Sequence, residues 1–137
     1  MSYAADAQAG LDALMETARQ TARSAVGEML TAVAVQSPVD TGYFQSNWQT
    51  VIEANDLDPN GVGNRGLNQV RNEIWTVLER WDLKRTLMFY NPTVYGPRLE
   101  YDGWSGQAPN GFVRVNAARW PFFLKQAARR AGVESAG

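Results

Sequence analysis

Glu100 and Asp102, two residues apart and flanked by Tyr101 and Trp104, are the carboxyls in this chain best placed to do chemistry. A carboxyl held against aromatic walls can have a raised pKa and serve as a general acid. With a second carboxylate beside it, the pair would suit glycoside hydrolysis. Residues two apart share a face on a strand and diverge on a helix, so the local conformation decides whether they can cooperate. The plainer role for such a glutamate is to satisfy loop amides or an arginine.

Other spacings invite chemistry and meet a simpler account. Asp40-Thr41-Gly42 could present a nucleophile or a phosphate loop, but no Lys or His lies near it and a hydrogen-bonded turn explains it. Gly61-Val62-Gly63-Asn64-Arg65-Gly66 matches Gly-x-Gly-x-x-Gly by letter, without the strand-to-helix turn of a βαβ unit that gives the pattern meaning. Asp56, Asp58, Asn60 and Gly61 begin like an EF-hand loop, yet Leu67 stands where the bidentate Glu belongs. Arg114, Arg119, Lys125, Arg129 and Arg130 could face DNA, or could equally line a solvated or subunit-facing helix. The chain has no Cys, hence no disulfide or thiolate site, and no His, the commonest general base and metal ligand near neutral pH. The expectation is no catalytic residues, no metal and no cofactor, and action by binding.

These residues need elements to position them. In the region 3–36, apolar residues at Leu11, Leu14/Met15, Ala18, Ala22, Ala25/Val26, Met29/Leu30 and Val33 step by three and four, which predicts one long helix. Pro38 ends it. A helix of that length spans roughly 50 Å, and its stripe could pack on its own domain or on a neighbouring subunit. Residues 43–54 alternate with a period of two and read as a half-buried strand; 55–66 is an exposed loop. A second helix is expected over 67–81 and a strand over 84–90. Arg98 to Tyr101 could form a helical turn. A short strand is expected over 112–115, a third helix over 116–131 with Pro121 in its first turns, and a flexible tail over 132–137. The fold class is α+β in a single domain. It comprises a long N-terminal helix, a small, mainly antiparallel sheet over 43–115 interrupted by the inserted helix 67–81, and a C-terminal helix.

Charge is divided unevenly. Residues 1–102 hold eight Lys/Arg against thirteen Asp/Glu, whereas 103–137 hold five Lys/Arg and only Glu134. An acidic body and a basic end would suit head-to-tail packing of identical subunits, although Arg129 and Arg130 would also close a C-terminal helix favourably. The N-terminus lacks the pattern of a signal peptide, and no apolar run approaches a membrane span.

Taken in order, the segments resemble a known family. Val35-Gln36-Ser37-Pro38-Val39-Asp40-Thr41-Gly42-Tyr43-Phe44-Gln45-Ser46-Asn47-Trp48 is similar to the Ser/Thr-Pro-Val-Asp-Thr-Gly…Trp signature of tailed-bacteriophage neck and tail-completion proteins, a group that includes minor tail protein Z-like members. Tyr90-Asn91-Pro92, Tyr95-Gly96, Leu99-Glu100-Tyr101-Asp102-Gly103-Trp104-Ser105, Gln107-Ala108-Pro109 and Gly111-Phe112-Val113-Arg114 resemble its second block, with Asp102 inserted and Gly96 in place of Ala. The resemblance implies a virion structural protein, assembled in the host cytoplasm and seated at the head–tail junction. It implies a ring of copies of itself, six being the better number. That ring would meet a head-completion, adaptor or portal-side ring on one side and a tail terminator or tail-tube protein on the other, with DNA in the channel and no membrane. Pro38, Asp40, Thr41, Gly42, Trp48, Tyr95, Glu100, Tyr101, Trp104, Pro109 and Arg114 are the expected interface or structural-motif residues. The rival readings are a small carbohydrate-active enzyme using Glu100 and Asp102, and an interaction module outside any particle.

Overall fold

The computed structural model describes residues 2–39, 42–63, 65–102, 105–108 and 110–132. Helix α1 runs unbroken over Tyr3–Gln36, as its stripe predicts, with Ser2 accepting from the amide of Ala5 at its start. Its end is bound by side chains. The Ser37 hydroxyl donates to the Val33 carbonyl at 2.8 Å, and the Gln45 amide donates to the Ala34 carbonyl at 3.0 Å. These are carbonyls that a helix C-terminus leaves without partners.

The remaining elements are α2 (Tyr43–Ser46), β1 (Gln49–Val51), a 3-10 turn (Ala54–Asp56), α3 (Leu67–Arg80), β2 (Met88–Tyr90), α4 (Gly96–Tyr101), α5 (Val113–Ala118) and α6 (Trp120–Arg130). The architecture is α+β, with helix dominant and β1 pairing β2 antiparallel in the register Gln49↔Tyr90, Thr50↔Phe89, Val51↔Met88.

The sheet expected over 43–115 is therefore reduced to two three-residue strands. The predicted strand at 43–54 begins as helix α2, because Gly42 at φ 77° turns the chain left-handed and side chains engage its carbonyls. The Asn47 amide donates to Tyr43 O at 2.6 Å and the Asn91 amide to Phe44 O at 2.8 Å. Burial is not confined to one alternating set, as a half-buried strand would have it: Phe44, Ser46 and Trp48 are buried, and so are Gln45, Asn47 and Gln49. The strand expected at 84–90 forms only from Met88, since Asp82 Oδ1 accepts from the amides of Lys84 and Arg85 and folds that stretch into a turn. The strand expected at 112–115 is the start of α5. The helix expected at 116–131 is divided at Arg119, where Pro121 in the first turn of α6 has no N–H to continue the α5 ladder. The tail expected at 132–137 lies, apart from Gly132, outside the described residues.

The core gathers Leu30, Val33 and Ala34 of α1, Phe44 and Trp48, Val70, Ile74 and Leu78 of α3, and Leu99 and Phe112. A smaller cluster of Ala25, Phe123 and Ala127 seats α6 on α1. The antiparallel course of these two helices brings Arg130 to an ion pair with Glu28. Only the second half of α1 takes part. Residues 2–16 are all exposed, so about 21 Å of helix projects past the body.

Candidate functional site

The motif residues converge on one hub built around Trp48. Its indole Nε1 donates to Ser37 Oγ at 2.8 Å, so a hydrogen-bond chain runs from Trp48 through Ser37 to the last turn of α1. The Trp48 ring stacks on Phe89 with centroids 4.3 Å apart and meets Phe44 edge-on at 5.7 Å. Phe44 in turn touches Phe112 at 5.5 Å and Tyr95 at 6.0 Å. The amide of Val39, next to buried Pro38, donates to Gln107 Oε1 at 2.9 Å. The described residues of the first motif block, 35–48, and of the second, 90–114, more than forty residues further along the chain, thus meet in space.

Glu100 closes the hub. It is buried, and its carboxylate accepts the amides of Phe112, Val113 and Arg114, each at 2.8 Å. Those are the first donors of α5, so the carboxylate does for this helix what an N-cap side chain does. The Arg114 guanidinium adds a bond from Nε to Oε1 at 3.1 Å and another from Nη2 to the Glu100 carbonyl at 2.6 Å. Burial, the largest single influence, pushes the Glu100 pKa up. The three amides and Arg114 together outweigh it and hold the carboxyl below its ordinary value. Gly111, at φ 89°, permits this approach, because a Cβ there would lie 2.7 Å from Glu100 Oε1.

A general acid needs the opposite shift and a free oxygen. Asp102 caps the end of α4 on the exposed surface, and α4 is helical, so the two carboxyls diverge. The geometry of Glu100 is that of a structural carboxylate. In the EF-hand-like stretch, Asp58 is likewise used internally: its Oδ1 accepts from Asn60 N at 2.9 Å, and the Gln49 side chain clamps the Asp58 amide and carbonyl, both at 2.8 Å. No three His, Cys, Asp or Glu converge among the described residues.

The hub reaches the surface at one rim. Arg114 lies over the exposed Tyr101 ring, 4.6 Å from its centroid. Beside them is a notch of about 200 Å³ lined by Phe44, Pro97, Phe112 and Val113. A second apolar cavity of about 250 Å³ lies between α1, Trp48 and α5. Both are smaller than the usual small-molecule pocket and suit a single anchoring side chain from a protein partner. A larger cleft of about 490 Å³ between β1 and α3 is lined by Glu53, Glu73, Arg80 and Arg85. Its two glutamates are taken: Glu73 pairs with Arg65 at 2.7 Å and accepts from Thr50 N, and Glu53 pairs with Arg85 at 3.5 Å.

Of the expected residues, Pro38, Trp48, Tyr95, Glu100 and Arg114 belong to the hub and Tyr101 to its rim, while Gly42 sets the turn into α2. Asp40, Thr41, Trp104 and Pro109 lie outside the described residues. Sequence reasoning missed Ser37, Gln45, Asn47, Gln49 and Asn91, whose side chains hold the backbone, and Arg65, which reaches the carbonyls of Ser46 and Trp48. The available signal was a run of amide residues beside aromatic ones, which period-two patterning counts only as polar.

No protein-family model, curated protein or solved structure matches this chain. Among the described residues no helix is long and apolar enough to cross a membrane.

Proposed function

We propose that the chain is a structural virion protein of a tailed phage, acting at the head–tail junction as a neck or tail-completion ring. The observation that carries this reading is the meeting of the two motif blocks, whose order resembles the neck family, in one hub. There they fix the ends of α1, α2 and α5 and leave Tyr101 and Arg114 at the rim. An arginine tied to both the carboxylate and the carbonyl of Glu100, with its guanidinium over an exposed aromatic ring, suits an interface anchor. The projecting half of α1 supports the reading too, because an apolar-striped helix outside the body is of use to an assembly and of none to a monomer. Copies of the chain form the ring, six being the favoured number, between a portal-side or adaptor ring and the tail terminator or tube.

The reading is tested by an amber mutation of the gene in its phage, with the lysate imaged by electron microscopy. Filled heads separated from tails are expected. Normal infectious particles would overturn it and favour an interaction module outside the virion.

A further inference from the structure

We propose that the projecting arm of α1 docks on the outward face of α6 in a second copy of this chain. The proposal rests on the ring reading above and names the surfaces that meet. The arm carries Leu11, Leu14 and Met15 on the same helical face that, further along, buries Ala25, Met29 and Val33. The three arm residues are 50%, 63% and 44% exposed, so this seam is open where the body ends.

The arm is acidic throughout. Asp6, Asp12 and Glu16 precede the first cation of the chain, Arg19, which with Arg23 already engages Glu16. Asp6 and Asp12 have no ion-pair partner among the described residues. The chain from 113 to 130 is basic throughout, with no Asp or Glu. On α6, Phe123 and Ala127 face α1, while Phe122, Lys125 and Arg129 follow at intervals of three and four on the opposite face. Lys125 and Arg129 also lack an ion-pair partner among the described residues. Phe122 is exposed and lies under the Arg119 guanidinium, 4.7 Å away. An acidic helix with an apolar stripe thus has its complement in a basic helix with an exposed aromatic.

The complement must come from another copy. Arg130, at the end of α6, pairs with Glu28, and the rest of the helix runs away from the arm. Asp12 lies about 24 Å along the α1 axis from Glu28. Pairing two arms would set three carboxylates against three, which charge repulsion disfavours.

The chain has no cysteine, so single cysteines report single contacts. Full-length Leu11→Cys is mixed with a mass-tagged Lys125→Cys and joined with a short bismaleimide; Glu79→Cys on α3 replaces the second partner as control. The arm–α6 heterodimer should exceed both homodimers and the control by about fivefold or more, and Asp12→Lys on the arm should return it to the control level. A heterodimer no more abundant than the control, or a predominance of the Leu11→Cys homodimer, would overturn the contact. Circular dichroism verifies that each variant is folded. Heads without tails in the amber lysate but no heterodimer would leave the junction reading standing and remove this contact. A heterodimer with normal particles would do the reverse.

Discussion

At the scale of the residue, Glu100 shows how one side chain can decide a local fold. Its two oxygens receive three amides and a guanidinium, so replacing one oxygen by an NH2 sets donor against donor. Glu100→Gln is expected to lose about 2–4 kcal/mol in urea unfolding. The pH dependence follows from the direction of the shift. Because the folded pKa lies below the ordinary value of 4.5, the carboxylate stabilises the protein fully above about that pH, and the contribution is lost as pH falls through the folded value. Acid titration of unfolding free energy should therefore be steeper for the wild type than for Glu100→Gln below about pH 4.5. Gly111→Ala attacks the same nest from the other side. It combines a positive φ with a Cβ 2.7 Å from the carboxylate, and a loss of about 2 kcal/mol or more is expected in the same assay.

At the scale of the element, two glycines of α1 make opposite predictions. A Cβ at Gly27 would overlap the Trp75 ring and lie 2.8 Å from Leu78 Cδ1, so Gly27 is where α3 crosses α1 closely. Gly27→Ala should cost about 1–3 kcal/mol by overpacking, read from thermal or urea unfolding. Gly10, in the arm, has nothing within 4 Å of a Cβ, and Gly10→Ala should stabilise the arm helix by about 0.8 kcal/mol, seen as slower amide exchange over residues 5–16. The helices were legible for a physical reason: α1 and α3 each bury one stripe, and a stripe of period 3.6 is written in the chain. The strands were legible in part: β1 and β2 lie within the stretches 43–54 and 84–90 read as strands, but are far shorter. From Phe44 to Thr50 every residue is buried, and alternation predicts a strand only when one face meets water. The polar residues there point inward because Gln45, Asn47 and Gln49 replace a missing sheet by bonding the backbone directly. The Glu100 nest was half legible. The plain role of satisfying loop amides was foreseen, but its donors, twelve to fourteen residues away, read as a strand until the carboxylate that starts α5 was placed beside them.

At the scale of the whole molecule, the body and the arm separate energetically. No residue from 2 to 16 is buried, so deleting that segment should leave the thermal midpoint of the body within about 2 °C while lowering far-UV ellipticity. A larger fall would mean that the arm folds back on the body. The described residues of the loop at 55–66 belong to the body, since Gln49 of β1 and Asn47 at the end of α2 fasten them and the loop's own Arg65 pairs with Glu73 of α3. Residue chemistry and element packing thus leave one element half employed.

Helix α1 is also a lever. It is a single helix of 34 residues, free of proline, anchored in the core at one end and free at the other. With about 33 Å between its tip and the first core contact at Ala25, a tilt of about 10° in the body swings the tip by roughly 6 Å. If the proposed arm contact forms, its grip on the tip would fix the angle of the whole body, and small adjustments there would set the pitch and diameter of the array.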